Sequence, residues 1–293
     1  MHLNVTATSF CKANCVYCPQ DQFRSAMHGR PQHLSEQEFS ELLPSLAGTH
    51  FTVVSFGGFT EPLDNPEIVD LLTITSQQRF VDEVHVYSNG EAFTPRIVEM
   101  LQKVRLAYVD ISCHGLDSET YRRTRPFVDV AKVRDNLLFL FQNRCNIDRL
   151  TVSVTGPFGS PAALAELEAL CIRSGACFER RELHSRAGLL RIGREKEVVK
   201  SGPFRCAKFD FGKPVLVPGG DLVLCCQDFA LEYVIGNLHR HTFEEIMRDS
   251  PVRTRVLKVA AGLSEDPQLK CYRCVFCVPT DEKIIRAEGV DAD

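Results

Sequence analysis

Three cysteines near the N-terminus have the residue type and the spacing to hold a metal centre. Cys11, Cys15 and Cys18 form the pattern Cys-x3-Cys-x2-Cys. Three thiolates on one loop can bind three corners of a [4Fe–4S] cube and leave the fourth iron without a protein ligand. Structural zinc takes four protein ligands, so zinc held by these cysteines and His28, the nearest downstream histidine, is the alternative. The spacing alone favours the iron–sulfur centre.

A second group of six cysteines lies near the C-terminus. Its members are Cys206, Cys225, Cys226, Cys271, Cys274 and Cys277. Four thiolates can close an iron–sulfur cube completely. Four cysteines from two separated stretches also suit a zinc ribbon, so the residues alone leave both kinds of centre open. In either case metal binding would hold a small C-terminal domain together.

The other four of the 13 cysteines are widely spread, and we interpret them as packing residues. They are Cys113, Cys145, Cys171 and Cys177. A free cysteine is a small hydrophobic side chain that is often buried. Because 13 is an odd number and the N-terminus shows no secretory signal, we expect no disulfide framework and a reducing, cytoplasmic location.

The overall composition argues against two classes of partner. The chain has 293 residues and a formal net charge of −4. A broad nucleic-acid-binding face needs clustered Lys and Arg, so we expect no nucleic-acid partner. The sequence contains no apolar run near the roughly 20 residues of a membrane span, so we expect no membrane partner.

The elements that position the first cysteines alternate between strands and helices. Apolar, β-rich runs predict strands at residues 3–8, 51–56, 83–88, 106–112 and 150–155. Helices are predicted at 65–78, 94–104, 128–143 and 160–174, and another begins at Ser35, which forms a capping-box signature with Glu38. This alternation predicts an α/β fold of parallel strands, in which ligands bind at the carboxyl ends of the strands.

The pattern changes after a charged, glycine-interrupted stretch at residues 186–202. Short strands are predicted at 214–218 and 221–225, joined by a Pro-Gly-Gly turn, and helices near 242–250 and from Pro251. We therefore predict two domains. An α/β domain covers residues 1–195, and a small α+β domain covers residues 196–293 and holds the second group of cysteines.

The residue before Cys18 connects the first motif with a known family. With Tyr17, the motif becomes Cys-x3-Cys-x-aromatic-Cys, which resembles that of the radical S-adenosylmethionine (SAM) superfamily. The resemblance covers about two-thirds of the chain and implies a partial (β/α)6 barrel. It implies a [4Fe–4S] cluster whose open iron binds SAM and which, when reduced, cleaves SAM to a 5′-deoxyadenosyl radical that abstracts a hydrogen atom from a substrate. Tyr17 would stack near the adenine.

Further motifs follow the predicted strands in the order that the family has. Residues 57–62, Gly-Gly-Phe-Thr-Glu-Pro, resemble its Gly-Gly-Glu element, in which glycine allows close approach of the backbone and the acid accepts from the SAM ammonium. Residues 87–90 resemble its Thr-Asn-Gly element, and residues 112–117 its Ser-x-x-Gly-x-Asp stretch. The resemblance implies that SAM is bound by Gly58, Glu61, Ser88, Asn89 and Ser112.

The second group of cysteines resembles the auxiliary-cluster domains of radical SAM enzymes, called SPASM in the long form and twitch in the truncated form. Cys206 and Cys225 have the spacing Cys-x13-Gly-x4-Cys. The long form carries seven cysteines and two clusters, whereas six cysteines are present here, so one auxiliary [4Fe–4S] cluster is expected. The implied ligands are Cys206, Cys225, Cys271 and Cys274, and Cys277 competes with Cys274.

Two residues that follow Cys225 are candidate catalytic residues. In some epimerases of the family a free cysteine returns a hydrogen atom to the substrate radical, and Cys226 could do so because an S–H bond is weak. Packing is the alternative role for Cys226. Asp228 is the nearest downstream carboxylate and could act as the base in a dehydrogenation.

Three classes of function follow. The first is a radical SAM oxidoreductase or epimerase that acts on a small polyol, aminocyclitol or sugar and takes electrons from a reductant such as flavodoxin or ferredoxin. The second epimerises or cross-links a ribosomally made peptide, and the third is a zinc-binding α/β protein without radical chemistry. Substrate specificity comes from the shape of the barrel mouth and a few polar groups, so no single residue identifies the substrate. Candidate anion-binding side chains are Arg122, Arg123, Arg125, Arg180 and Arg181.

Overall fold

Six parallel strands form the centre of the protein in the computed structural model, which describes residues 1–29, 32–144, 146–190, 199–208 and 211–280. They are β1 (His2–Val5), β2 (Phe51–Phe56), β3 (Val81–Ser88), β4 (Leu106–Ser112), β5 (Ile147–Thr155) and β6 (Cys177–Arg181). Each strand pairs in parallel with the next in chain order. The predicted α/β fold is therefore confirmed. The sequence did not indicate β6, because its side chains are mostly exposed and charged.

Helices precede or connect these strands. They are α1 (Gln20–Ala26), α2 (Glu36–Leu46), α3 (Ile68–Ser76), α4 (Pro95–Leu101), α5 (Ser118–Thr124), α6 (Val130–Gln142) and α7 (Pro161–Arg173). Helix α2 begins where predicted, because Ser35 Oγ accepts a hydrogen bond from the backbone N–H of Glu38 at 3.1 Å. The Glu38 carboxylate does not complete the predicted capping box. It accepts instead from the backbone N–H of Gly219, 2.8 Å away in the C-terminal part of the chain.

The C-terminal part extends the same sheet. Its elements are β7 (Phe204–Cys206), β8 (Val215–Leu216), β9 (Asp221–Val223), β10 (Val234–Asn237), α8 (Phe243–Asp249), α9 (Pro251–Ala260) and β11 (Cys277–Pro279). Strand β8 pairs in parallel with β1, and the sheet has the order β10-β9-β8-β1-β2-β3-β4-β5-β6. Strands β7 and β11 form a separate antiparallel pair. The sheet therefore continues across the boundary predicted at residues 195 and 196, and the division into two domains stays a prediction.

The two faces of the parallel strands differ in composition. On β4, Val109 and Ile111 belong to the large apolar core that the helices cover. Tyr108 and Asp110 alternate with them and lie on the opposite face, since successive side chains of a strand point to opposite sides. We call this second face the inner face. It is polar between β3 and β6, as the contact of Asp110 with Arg181 on β6 shows.

The scattered cysteines do not all pack as predicted. Cys113 and Cys171 are buried in the core. The prediction is wrong for Cys177, which is exposed because β6 is the last strand of the sheet and has a neighbour on one side only. Cys145 lies outside the described residues, as do residues 191–198 of the stretch that the sequence marks as a boundary.

A search of the described residues for membrane spans found no helix that is both long enough and apolar enough to cross a membrane.

The junction of β1 and β8 provides a test of how far the two parts fold together. Leu216 is fully buried in the shared core. We expect Leu216→Ala to lower the free energy of unfolding by about 2–5 kcal/mol, in a single cooperative urea transition, because it leaves a cavity in a core common to both parts. Leu138→Ala, a matched change at a side chain that is 38% exposed on α6, should cost less than about 1 kcal/mol. Two separate transitions would contradict this expectation.

Candidate functional site

The first three cysteines lie on the loop between β1 and α1. The loop is held at both ends: Gln20 Nε2 donates to the carbonyl of Cys11 at 2.8 Å, and the backbone N–H of Cys18 donates to the carbonyl of Cys15 at 3.0 Å. The three thiols are electrostatically coupled, because Cys15 raises the pKa of both Cys11 and Cys18. The structure thus brings these predicted ligands together.

These thiols fit an iron–sulfur cube better than a single metal ion. Burial raises the pKa of Cys11, and it raises that of Cys18 to about 12, so a bound cation must drive their deprotonation. Among the described residues, no three His, Cys, Asp or Glu side chains stand close enough to bind one ion. A donor set of three cysteines and no fourth protein ligand suits three corners of an iron–sulfur cube. The residues that would hold it are Cys11, Cys15 and Cys18.

Tyr17 lies in a stack of rings beside this loop. Its ring is 5.0 Å from that of His114 and 5.1 Å from that of Phe158, measured between centroids. Its hydroxyl accepts a hydrogen bond from Arg125 Nε and also contacts the Cys15 thiol. Burial raises the pKa of Tyr17, so the phenol stays protonated. The predicted contact with adenine stays a prediction, whereas the link from Tyr17 to a ligand cysteine is a feature that the sequence did not indicate.

Arg125 is a buried cation, 2% exposed, directly after α5. One of its terminal nitrogens donates to the carbonyl of Ser112 at 2.6 Å. Burial alone would lower its pKa, but Tyr17, Cys15 and Tyr121 raise it above the usual value. None of these groups is a carboxylate, and among the described ion pairs Arg125 has none. The charge of Arg125 therefore faces the first cysteine loop.

Glu61 and Gly58 lie on the loop after β2, as predicted. The two carboxylate oxygens of Glu61 accept from the backbone N–H groups of Asn89, at 2.6 Å, and Leu63, at 3.2 Å. Burial raises the pKa of Glu61 to about 7, and Glu61 in turn raises the pKa of Cys11. Gly58 has a φ of +76°, and a Cβ there would stand 2.4 Å from Thr6 Oγ1. Only glycine fits this close turn beside the cysteine loop.

Ser88 and Asn89 shape the neighbouring loop after β3. Ser88 Oγ accepts from the N–H of Gly90 at 3.0 Å, and Asn89 Oδ1 accepts from the N–H of Glu91 at 2.9 Å. The Glu91 carboxylate then forms an ion pair with Lys12 on the cysteine loop, at 2.8 Å. The structure thus gathers the predicted SAM-binding loops at one end of the sheet. The binding of SAM by these residues, and by Ser112, stays a prediction.

The C-terminal part contains a cavity that is lined by five cysteines, and we call it the auxiliary cavity. The five cysteines are Cys206, Cys225, Cys271, Cys274 and Cys277. Their thiols are coupled, because Cys271 has its pKa raised first by burial and then by Cys274, Cys277 and Cys206. The backbone N–H of Gln227 lies 3.4 Å from Cys225 Sγ, as suits a thiolate acceptor. Five thiols that converge on one cavity fit an iron–sulfur cluster.

Five thiols line this auxiliary cavity, whereas a cube needs four. Cys277 on β11 is the pairing partner of Cys206 on β7, and it is buried. Lys200 Nζ donates to the carbonyls of Cys274, at 2.7 Å, and Cys277, at 2.6 Å, and so holds the cysteine turn in place. The predicted set of Cys206, Cys225, Cys271 and Cys274 remains a prediction, with Cys277 as the competitor.

Cys226 does not line the auxiliary cavity, but its thiol hydrogen-bonds that of Cys225, which does. Cys226 packs against a group of seven buried residues that we call the inner apolar cluster. The members are Phe23, Met27, Phe59, Val215, Val217, Val223 and Phe229. Cys18 packs against the same cluster.

The hydrogen bond with the Cys225 thiol is the main cause that lowers the pKa of Cys226, and the charges of Lys208 and Arg186 add to it. Arg186 lies over the ring of Phe229 and also opposes the burial that raises the pKa of Cys18, so its guanidinium stands near both thiols. Cys225 thus lines the auxiliary cavity, whereas Cys226 packs against the inner apolar cluster while its thiol contacts that of Cys225.

Asp228, the second candidate catalytic residue, faces the auxiliary cavity rather than the inner apolar cluster. Its Oδ2 accepts from the backbone N–H of Tyr233 at 2.7 Å, and Lys270 Nζ lies 3.9 Å from its Oδ1. Burial raises the pKa of Asp228. These contacts describe a carboxylate that shapes the loop next to Cys225.

The comparisons with known proteins place the chain in a family. The profile of the radical SAM superfamily matches residues 5–167, more than half of the chain, which therefore belongs to this superfamily. The profile of the SPASM iron–sulfur cluster-binding domain matches residues 206–275. The protein is a radical SAM enzyme with a SPASM-type domain and takes a SAM-binding [4Fe–4S] cluster and an auxiliary iron–sulfur centre. Membership overturns the alternative of a zinc protein without radical chemistry.

Individual relatives are distant. The GTP 3′,8-cyclase of Clostridium acetobutylicum is 27% identical over 139 residues, which are 46% of this chain. The GTP 3′,8-cyclase of Desulforamulus reducens is 27% identical over 122 residues, which are 41% of this chain. The matches span 42% and 36% of the cyclases' own length.

Two solved structures show the same fold. Streptococcus suis SuiB bound to precursor peptide SuiA has a TM-score of 0.70 at 13% identity, covering 93% of this chain and 69% of that one. BtrN in complex with AdoMet and 2-DOIA has a TM-score of 0.56 at 14% identity, covering 96% and 94%.

The charge of Arg125 leads to a redox prediction. We expect Arg125→Met to lower the midpoint potential of the SAM-binding cluster by on the order of 50–100 mV, because a buried positive charge favours the reduced, more negative cluster. Arg125→Lys should recover part of the shift. Arg123→Met, an exposed arginine on α5, is the matched control and should shift the potential little. Potentiometric titration followed by electron paramagnetic resonance measures the effect. Equal shifts in Arg125→Met and Arg123→Met would contradict it.

Iron analysis tests the auxiliary ligands. The reconstituted protein should contain about eight iron atoms per chain, for two cubes. Cys225→Ser should leave about four, because one corner of the auxiliary cube is lost, whereas Cys277→Ser should keep about eight. Cys177→Ser, an exposed cysteine, serves as the control. If Cys277→Ser lost four irons and Cys274→Ser lost none, the two residues would exchange roles.

Proposed function

We propose that the enzyme abstracts a hydrogen atom from a small polyol, aminocyclitol or sugar and completes an epimerisation, with Cys226 as the hydrogen-atom donor. One observation carries this proposal: Cys226 and Cys18 pack against the same inner apolar cluster. A thiol on the auxiliary side of the chain therefore lies on the side of the protein where the SAM-binding centre is expected.

The loaded first centre supplies the reductive cleavage of SAM, which generates the species that removes the substrate hydrogen. The chain's own residues prepare the place for this step. The loops of Glu61 and Asn89 are tied together by a 2.6 Å hydrogen bond beside the first cysteine. The inner apolar cluster excludes water between Cys18 and Cys226. Exclusion of water protects a carbon radical from side reactions.

Cys226 would complete the reaction from the opposite side of the substrate. Its S–H bond breaks, the hydrogen atom forms a C–H bond with the substrate radical, and a thiyl radical remains on Sγ. One electron from a reductant such as ferredoxin or flavodoxin and one proton from water then restore the thiol. Gln227 Nε2 lies 3.6 Å from Cys226 Sγ and orients it. The auxiliary centre at Cys225 is a route for that electron.

Dehydrogenation is the second outcome, and it requires a base and a one-electron acceptor instead of a hydrogen donor. Asp228 is the candidate base. The raised pKa of Asp228 suits a base. However, its carboxylate is bonded to the Tyr233 N–H and lies on the auxiliary cavity. We therefore favour hydrogen-atom donation by Cys226 over dehydrogenation with Asp228 as the base.

Modification of a peptide is the alternative substrate class. The likeness to SuiB bound to its precursor peptide supports it, with the higher TM-score of 0.70. The likeness to BtrN supports a small molecule, because the two chains match over nearly their whole lengths, 96% and 94%. We favour the small molecule because the inner face carries buried carboxylate and hydroxyl groups at Asp110, Thr151 and Ser153, which suit a ligand with several hydroxyls.

The role of Cys226 is tested with the substrate that gives 5′-deoxyadenosine in a screen of candidate compounds. In deuterated buffer, the wild type should return an epimer with one solvent-derived deuterium. Cys226→Ser should still form 5′-deoxyadenosine but no deuterated epimer, because an O–H bond is too strong to give up a hydrogen atom. Mass spectrometry of the product measures both. Cys177→Ser is the control, and normal turnover by Cys226→Ser would exclude the donor role.

A further inference from the structure

The inner face of β3, β4 and β5 carries a continuous polar surface, of which the contact between Asp110 and Arg181 is one part. Asp110 on β4 pairs in register with Tyr87 on β3 and with Thr151 on β5. Residues in register on neighbouring strands point to the same face of the sheet. Tyr108 lies two residues before Asp110 on the same face, with its ring 5.8 Å from that of Tyr87. We call Tyr87, Tyr108, Asp110, Thr151 and Ser153 the polar wall.

Three side chains of the polar wall are buried and carry an oxygen with no hydrogen-bond partner among the described residues. Asp110 is 3% exposed and Thr151 is fully buried. Asp110 Oδ1, Thr151 Oγ1 and Ser153 Oγ have no hydrogen-bond partner in the part of the chain that the structure describes. Ser153 Oγ lies near the Asp110 carboxylate but is not aligned to bond it. Buried polar atoms are nearly always satisfied, so these neighbouring groups indicate a place for a ligand that donates hydrogen bonds.

The polar wall and the charges around it select the kind of ligand. Arg181 donates to Asp110, to the Tyr108 hydroxyl at 3.1 Å and to Glu179 at 2.7 Å. Its guanidinium is therefore shared by two carboxylates and is not free to bind an anion. Arg149, whose guanidinium lies over the ring of Tyr108 at 4.4 Å from its centroid, balances the second carboxylate. The selection therefore comes from the free oxygen of Asp110, which can only accept hydrogen bonds and so requires a ligand group that donates one. A hydroxyl or an ammonium meets this requirement.

The polar wall also has an entrance and a position suited to the reaction. The side chain of Arg181 is 36% exposed, so the wall opens to solvent along β6. Ser112 lies two residues beyond Asp110 on β4, about 7 Å along the strand, and its carbonyl accepts from Arg125, which contacts Tyr17. The wall is therefore adjacent to the first cysteine loop, at the carboxyl end of the strands where ligands of α/β folds bind.

We propose that the polar wall is the substrate-binding site and that it binds a small molecule with several hydroxyls, at least one hydroxyl or ammonium of which donates to Asp110 Oδ1. Thr151 Oγ1 contributes a second hydrogen bond. This proposal rests on the proposed function and narrows it to neutral or amino-bearing polyols and sugars. Anionic sugars and unhydroxylated molecules are disfavoured.

The test is a titration of the reconstituted holoenzyme, with SAM bound, by isothermal calorimetry. The probes are glucosamine, glucose and glucuronate, which share a ring of hydroxyls and differ in charge. We expect glucosamine to bind at least as tightly as glucose, and glucuronate more weakly than both. Asp110→Asn should weaken glucosamine binding about 10–100-fold, and Thr151→Val should weaken glucosamine and glucose about 3–10-fold.

Thr49→Val is the matched control for Thr151→Val. Thr49 is also a buried threonine, and its hydroxyl has no hydrogen-bond partner among the residues that the structure describes. It lies just before β2, away from the carboxyl ends of the strands. It should change sugar affinity less than twofold. Without sugar, Thr151→Val should unfold at an equal or higher temperature than the wild type, because an unsatisfied hydroxyl has been removed. A clear loss of stability instead would show a purely structural role for Thr151.

The two proposals fail in different ways. If SAM did not change the electron paramagnetic resonance signal of the reduced wild type, the proposed function would fail, whatever the sugars did. If that change were normal but no probe bound, if glucuronate bound best, or if Thr49→Val matched Thr151→Val, the polar wall would be rejected as the site. Thr151→Val serves as the second variant, because Asp110→Asn also removes an ion pair and can affect folding.

Discussion

The deprotonation of buried thiols is the constraint on which the rest of the structure depends. Burial raises the pKa of Cys11, Cys18 and Cys271, so each needs a positive charge nearby to become a ligand thiolate. Iron supplies most of that charge. At the first loop, the guanidinium of Arg125 adds a further positive charge. It is buried, it contacts Tyr17, and no carboxylate pairs with it among the described residues. An isolated buried cation is costly, so protein and cluster stabilise each other.

The continuity of the sheet brings the two cysteine-rich regions of the chain together. Strand β8 pairs with β1, the strand that leads into the first cysteine loop, and so brings the C-terminal hairpin beside that loop. The chain after β9 then presents Cys225 to the auxiliary cavity and Cys226 to the inner apolar cluster. Two adjacent residues can contact different regions in this way because the backbone passes between those regions.

Some elements were predictable because their signals are local. The strands at residues 51–56 and 106–112 match β2 and β4 in both bounds, since apolar, β-branched runs bounded by turn residues specify strands directly. Strand β6 was not predicted, because its exposed charged residues carry no such pattern. Of the capping box predicted at Ser35, the side-chain cap is present, but the Glu38 carboxylate accepts a hydrogen bond from Gly219, far along the chain, instead of completing the box. The sequence around Ser35 does not show that a distant backbone N–H will compete for the Glu38 carboxylate.

By itself, the sequence determined the chemistry: cysteine spacing, glycine turns and strand order specify a radical SAM enzyme with an auxiliary iron–sulfur domain, because these depend on residue type and short separations. Only the tertiary structure decided which side chains surround that chemistry. Arg125 and Arg181 stood in the sequence as two arginines among five candidates, yet one is buried against the first loop and the other is shared by two carboxylates. The direction of a side chain and its burial depend on strands distant in sequence, which the local pattern does not contain.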